Sequence, residues 1–148
     1  MTRSDETGRV AEPERSQMAE AVISGIPDAI VYADHDGFIR FWNAGAMRIF
    51  GFTAEDAIGQ SLDIIIPERL RERHWTAYRI MMASGRSRHA EHELLSVPAI
   101  TRDGSSLSIQ FTVAPVHGER GAVAGIVAVM RDITQTFLEL KRLRAARS

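Results

Sequence analysis

The chain contains no cysteine. Disulfide bonds, thiolate metal ligands and cysteine nucleophiles are therefore all excluded, because each of them needs a thiol. Photochemistry that proceeds through a thiol adduct is excluded for the same reason.

Long apolar runs are missing as well. No segment approaches the roughly 20 apolar residues that a membrane helix requires. Residues 1–16 are polar and lack the apolar core of a secretion signal, so we expect a cytoplasmic protein. The formal net charge is −1 and both signs are interspersed, which does not indicate a nucleic-acid-binding surface.

Catalytic motifs are not found either. The sequence has no paired carboxylates, no glycine-rich phosphate loop and no nucleophile elbow, so we do not expect an enzyme. His89 and His92 lie three residues apart in an extended segment, where their side chains would point to opposite faces. A zinc site there is not expected, and both histidines are also consistent with an ordinary polar surface loop.

What is present fits one domain of ordinary size, because 148 residues with 45% hydrophobic content can bury a core. We divide the chain into a disordered tail at 1–13, a flanking helix at 14–26, a central domain at 27–134 and a C-terminal helix at 135–148. Met18 and Val22 share an apolar face of the first helix, and Phe137, Leu140 and Leu143 share one on the last. These faces either pack back on the fold or meet a second copy.

The central domain begins with an apparent β-hairpin, in which residues 29–33 and 38–42 flank a turn at 34–37. Asn43 is placed to cap a short helix that ends at Phe50 and Gly51. Three further strands are predicted at 89–100, 107–113 and 125–130. The order predicts an α+β fold with a five-stranded antiparallel sheet covered on one side by helices.

One predicted helix carries a histidine, His74, among apolar residues. Residues 67–85 form a helix that begins at Pro67 and ends at Gly85. At helical spacing, five side chains share one face, namely Leu70, His74, Ala77, Tyr78 and Met81. An imidazole in such an apolar stripe can hydrogen-bond inside the protein, contribute to a polar site or bind a metal, and the pattern leaves these alternatives open.

Five features taken together resemble the PAS sensor family from Met18 to Thr134. They are the hairpin DAIVYADHDGFIRFWN, the cap at Asn43, the short helix ending IFGFTAEDAIG, the turn RDGS and the closing MRDIT. The resemblance implies a sheet curved around a ligand cavity, with the helix at 67–85 as one wall.

The segment IIPERLRERHWTAYRIMMASG is similar to the corresponding helix of the heme-binding PAS sensors of oxygen and redox state. That resemblance implies that His74 ligates the iron of heme b. It also implies that apolar residues line both sides of the heme: Leu70, Ala77, Tyr78 and Met81 on the helix, and Leu94, Leu95, Phe111, Val113 and Ile126 on the strands.

The sequence departs from that pattern in three places, and one of them is the spacing of Tyr78, which follows His74 by four residues where the relatives have three. The oxygen sensors carry an arginine where this chain has Leu94 or Leu95, which favours CO, NO or redox sensing over O₂. The redox sensors use a methionine as sixth ligand where this chain has His92 or Glu93, so His92 is a candidate second iron ligand. We expect a sensor that signals through its flanking helices to a partner, or a heme-free PAS module for dimerisation or small-metabolite binding.

Overall fold

The computed structural model describes residues 11–85 and 95–147. Two 3-10 turns, Leu62–Ile65 and Glu68–Leu70, precede the longest helix of the central domain. The helices are α1 (Glu12–Gly25), α2 (Ala44–Phe50), α3 (Ala54–Ala57), α4 (Arg71–Ser84) and α5 (Thr134–Ala146). The strands are β1 (Ala29–Asp34), β2 (Ile39–Trp42), β3 (Leu95–Ile100), β4 (Ser106–His117) and β5 (Val123–Asp132).

The five strands form one antiparallel sheet in the order β2-β1-β5-β4-β3. This arrangement confirms the predicted α+β fold. The last strand inserts beside the first, so the two ends of the central domain lie next to each other. Pro98 lies on β3, which is an edge strand, as expected for a residue that cannot donate to a ladder.

The local signals at the first short helices also hold. The Asn43 side chain accepts a hydrogen bond from the Ala46 amide and caps α2, and Gly51 ends that helix with a φ of 85°. Thr53 caps α3 in the same way. Asn43 and Thr53 fix where the two helices begin and Gly51 ends the first of them, so the segment folds across the sheet as short helices.

The core lies between one face of the sheet and the helical segment. Alternate residues of β5 are buried there, Ile126, Ala128 and Met130, as period-two spacing requires. Across from them α4 contributes three buried side chains, Tyr78, Met81 and Met82. The helix at 67–85 therefore forms a wall over the sheet.

Three sequence expectations need correction. Pro67 has an extended ψ of 139° and a 3-10 turn follows it, so the helix proper begins at Arg71. Ala77 is exposed, because the buried face of α4 is centred on Tyr78 and includes Met82. The first helix begins at Glu12, two residues before the predicted start, so it includes part of the predicted tail.

Within residues 11–85 and 95–147, no helix combines the length and the apolar character needed to cross a membrane.

Candidate functional site

Two aromatic side chains anchor α4 over the core. The Tyr78 hydroxyl donates to the backbone oxygen of Asp34, at the end of β1, over 2.5 Å. The Trp75 indole nitrogen donates to Oδ1 of Asp63, in the 3-10 turn before the helix, over 2.8 Å. The helix is thus tied to the hairpin on one side and to its own preceding turn on the other.

His74 lies beside these anchors and is half-buried. Its ring centroid is 4.6 Å from that of Trp75 and 5.7 Å from that of Tyr78. The Nδ1 atom is inaccessible to solvent, and no described residue offers it a hydrogen bond. Burial lowers the pKa of His74 to about 4, against an opposing effect of the Asp63 carboxylate, so the imidazole is neutral at pH 7.

A buried ring nitrogen without a partner costs on the order of 1–3 kcal/mol, so it calls for an explanation. Coordination of a metal by a neutral imidazole is one explanation. The described ranges contain no group of three or more histidine, cysteine or acidic side chains that could bind a metal ion among themselves. A lone histidine is nevertheless compatible with heme, because the porphyrin would supply four nitrogen ligands and His74 would hold the iron from the protein.

The predicted contact residues on α4 are only partly brought together. Tyr78 and Met81 are buried in the core and Leu70 is half-buried. Ala77 is exposed, and its predicted contact with a cofactor stays a prediction.

The sheet places the predicted strand residues together. Phe111 lies opposite Met130 on one side and opposite Leu95 on the other. Val113 lies opposite Ala128, which is two residues from the buried Ile126. Directly paired residues share a face of the sheet, so these side chains belong to one apolar surface. Phe111 and Val113 are partly buried against the same core that includes Tyr78 and Met81.

Leu94, His89 and His92 lie outside the described residues. The expectations attached to them, including the possible second iron ligand, stay predictions.

Sequence reasoning missed Trp75, Asp63 and a groove beside α4. The groove has a volume of about 490 Å³ and is lined by His35, Asp36, Trp75, Tyr78, Arg79, Met82 and Ala83. His74 is not among the lining residues, so the groove and the imidazole lie at different edges of the helix. A stripe at Arg71, Trp75, Tyr78 and Met82, with three- and four-residue spacing, was the signal that could have identified this face.

Comparison with known proteins agrees with this architecture. A family model described as PAS fold matches residues 23–136. A solved PAS domain from Colwellia psychrerythraea has a TM-score of 0.71 with 26% sequence identity, covering 82% of this chain and 98% of that one.

Three relatives align with most of the chain. A protein of Azorhizobium caulinodans is 34% identical over 97% of this chain. The sensor protein FixL of Bradyrhizobium diazoefficiens is 26% identical over 88% of it, and the oxygen sensor protein DosP of Escherichia coli is 27% identical over 72%. The chain spans 19%, 26% and 13% of these relatives, respectively.

The family model covers most of the chain, and the strand order, the capped short helices and the long helix over the sheet all agree with it. PAS domains are typically sensory modules that carry no catalytic machinery of their own. The chain belongs to the PAS family and is a sensory domain of signal transduction.

Proposed function

We propose that this PAS domain binds heme b through His74 and senses a diatomic gas or the redox state of its surroundings. The observation that carries this proposal is the buried Nδ1 of His74, which has no hydrogen-bond partner among the described residues. A neutral imidazole is already in the protonation state that a metal ligand requires, so binding would not have to displace a proton from a charged ring.

Apolar side chains of the packed core would supply the contacts on both sides of the heme. Tyr78, Met81 and Leu70 would contact a porphyrin from the helix, and Phe111, Val113, Leu95 and Ile126 would contact it from the strands. Such a lining excludes water from the iron and controls access to it. Bound heme supplies an iron that takes up diatomic gases and changes oxidation state.

The relatives support a sensory role of this kind. The protein from Escherichia coli is named an oxygen sensor and that from Bradyrhizobium diazoefficiens a sensor. The oxygen-sensing PAS members that the sequence resembles carry an arginine where this chain has Leu94 or Leu95, which offer no hydrogen bond to a polarised Fe–O₂ unit. We therefore expect CO, NO or redox change to be the stronger signal.

Strand β5 connects the site to α5 and would carry the signal. Ile126 and Met130 on β5 belong to the apolar surface, and β5 ends at Asp132, immediately before α5. The Thr134 hydroxyl contacts the Asp132 carboxylate and accepts a hydrogen bond from the Ser108 amide on β4. A displacement of either strand would therefore move the start of α5.

The cytoplasmic location stays a prediction.

Hemin titration tests the proposal. Purified protein should take up one hemin per chain with a sharp Soret band, and His74→Ala should abolish the band. His35→Ala is the matched control, because His35 is an exposed histidine on the β1–β2 turn. The proposal is contradicted if wild-type protein with excess hemin shows only the spectrum of free hemin, or if His74→Ala has the same spectrum as the wild type.

The sixth ligand has its own test. If His92 ligates the iron, His92→Ala changes the spectrum in at least one oxidation state and speeds CO binding. An unchanged spectrum in both states removes His92 from the site.

A second candidate is a heme-free PAS module for dimerisation or small-metabolite binding. The groove of about 490 Å³ beside α4 favours this alternative, because Trp75, Tyr78 and Met82 give it an apolar lining. In that case His74 is a core histidine and hemin does not bind. Colourless protein whose tryptophan fluorescence responds to a metabolite extract, with no response in Trp75→Phe, would support the alternative.

A further inference from the structure

The Trp75 indole is held along one edge by a hydrogen bond. Its Nε1 donates to Oδ1 of Asp63 over 2.8 Å. Asp63 is itself fixed, because its amide donates to the Ser61 hydroxyl over 3.1 Å and its backbone oxygen accepts from the Arg71 guanidinium over 3.2 Å. Asp63, the acceptor, therefore lies in a turn whose backbone is held by hydrogen bonds to Ser61 and Arg71.

The opposite edge of the indole rests on the β1–β2 turn. A Cβ atom on Gly37 would lie 2.2 Å from Cζ3 and Cη2 of Trp75, a distance that no real contact allows. The Gly37 amide donates to the Asp34 oxygen over 2.9 Å, so this turn is also closed. The indole thus occupies the space that the missing side chain of Gly37 leaves.

His74 packs against the indole on one side, and the centroid of the Tyr78 ring lies 5.7 Å from that of His74. The two rings meet edge to face at 74°, with centroids 4.6 Å apart, which is a favourable aromatic geometry. No described residue hydrogen-bonds to the buried Nδ1 of His74. Packing therefore has to orient the ring, and the indole is the nearer of its two aromatic neighbours.

We propose that Trp75 is a positioning residue for His74: its indole, held by Asp63 and by the backbone at Gly37, fixes the orientation of the imidazole. The heme-bound part of this inference rests on the proposed function, whereas the orientation of the free imidazole does not. A consequence is that a movement of the imidazole is passed to the β1–β2 turn through the indole.

The first measurement uses heme-free protein, so it does not depend on cofactor binding. Carbon-13 relaxation of the His74 ring reports its mobility. The ring should become more mobile in Trp75→Leu and stay as in wild type in Phe41→Leu, which shortens an aromatic side chain on β2 instead. Equal ring mobility in wild type and Trp75→Leu overturns the proposal.

The second measurement is the rate at which hemin passes from the protein to apomyoglobin. Loss of an orienting contact around a metal ligand typically costs 10–100-fold in affinity, so Trp75→Leu should lose hemin at least about tenfold faster. Trp75→Phe keeps a ring but lacks the indole N–H, and should lose hemin at an intermediate rate.

Variants of Asp63 separate the hydrogen bond from the charge and do not alter the indole. Asp63→Asn keeps an oxygen that accepts from Trp75, and should lose hemin at nearly the wild-type rate. Asp63→Leu removes the acceptor, and should match Trp75→Phe. If Asp63→Asn is as fast as Asp63→Leu, the charge acts on His74 and the positioning role is wrong.

The outcomes also separate this inference from the proposed function. If the protein binds no hemin but its His74 ring becomes more mobile in Trp75→Leu, the positioning role is supported and the heme-sensor proposal is contradicted. If the protein binds hemin tightly and every Trp75 and Asp63 variant releases it at the same rate, the heme-sensor proposal is supported and the positioning role is contradicted. If Trp75→Leu does not fold, Trp75→Phe and Asp63→Leu make the same distinction.

Discussion

His74 is a polar side chain that the fold half-buries without giving its Nδ1 a partner in the part of the chain described. Its sequence position among apolar residues predicted the burial. It could not predict the missing partner, because the neighbours of a ring nitrogen depend on the turns that pack against the helix. The neutral state of this imidazole has a consequence for stability in acid.

In heme-free protein, lowering the pH should reduce the free energy of unfolding through His74. The folded-state pKa is about 4 and the ordinary value is 6.5, so the unfolded chain binds more protons between those values. The contribution of His74 is complete above pH 6.5 and is lost as the pH falls toward 4. At 1.36 kcal/mol per pKa unit, reduced for partial exposure, the loss is about 2 kcal/mol.

Urea unfolding at pH 7.5 and pH 4.5 measures this loss. Other groups titrate in the same range, so the comparison is between variants. His74→Leu should lose less stability on acidification than wild type, by about 2 kcal/mol. His35→Leu, at an exposed position, should lose as much as wild type. The same acid response in all three proteins would show that His74 titrates normally.

Helix α2 begins at a side chain that joins three segments. Asn43 is buried, and its Oδ1 accepts from the amides of Ile30 and Ala46 over 2.9 Å each. Its Nδ2 donates to the backbone oxygens of Ile23 over 2.9 Å and Asp28 over 3.1 Å. The sequence predicted the cap to α2. It could not predict the bonds to α1 and β1, since those partners lie 13 or more residues earlier in the chain.

Asn43→Ala should destabilise the domain by about 3 kcal/mol, because it leaves buried backbone groups unpaired and removes a helix cap. Asn43→Asp keeps the acceptor but not the donor, and should also be strongly destabilising. Thr53→Ala, which removes only the cap of α3, should cost about 1 kcal/mol. Thermal or urea unfolding measures all three, and equal losses in Asn43→Ala and Thr53→Ala would show that Asn43 acts only as a cap.

Helix α4 shows where periodicity was sufficient and where it was not. The spacing correctly brought Tyr78 and Met81 to the core. It misplaced Ala77, because several similar stripes can be drawn on one helix and small residues are compatible with any of them. The choice among the stripes is made by Trp75, which fits against Gly37, and that contact joins residues far apart in sequence.

Over the whole molecule, the strands and their sequence along the chain were predictable, and the ends of the elements less so. Alternation identified 107–113 as a strand, whereas β4 continues to His117 through Pro115, where the pattern of apolar residues fades. The pairing with β5 extends it, because that strand runs beside β4 along most of its length. Local pattern predicts the existence of a strand, and its neighbours determine its length.

The flanking helices carry exposed apolar residues that favour self-association. Met18 is 55% exposed and Val22 43%, while Phe137, Leu140 and Leu143 are 47%, 50% and 50% exposed. We propose that these faces pair two copies of the domain. Leu140→Glu should then weaken the dimer at least tenfold in sedimentation experiments, a change of about 1.4 kcal/mol. Gln135→Glu adds the same charge to an exposed position of the same helix and should leave the dimer intact. A wild-type protein that sediments as a monomer at all concentrations would contradict the pairing.

The central proposal is that one imidazole is the protein ligand of a heme iron. Replacement of His74 by glycine, followed by addition of free imidazole, tests it most directly. Hemin added to His74→Gly should not produce the iron–histidine stretching band that the ferrous wild-type protein shows in resonance Raman spectra. Free imidazole should restore a band that shifts when the added imidazole is isotopically labelled. A His74→Gly protein that keeps the wild-type band without added imidazole would show that the iron is held elsewhere.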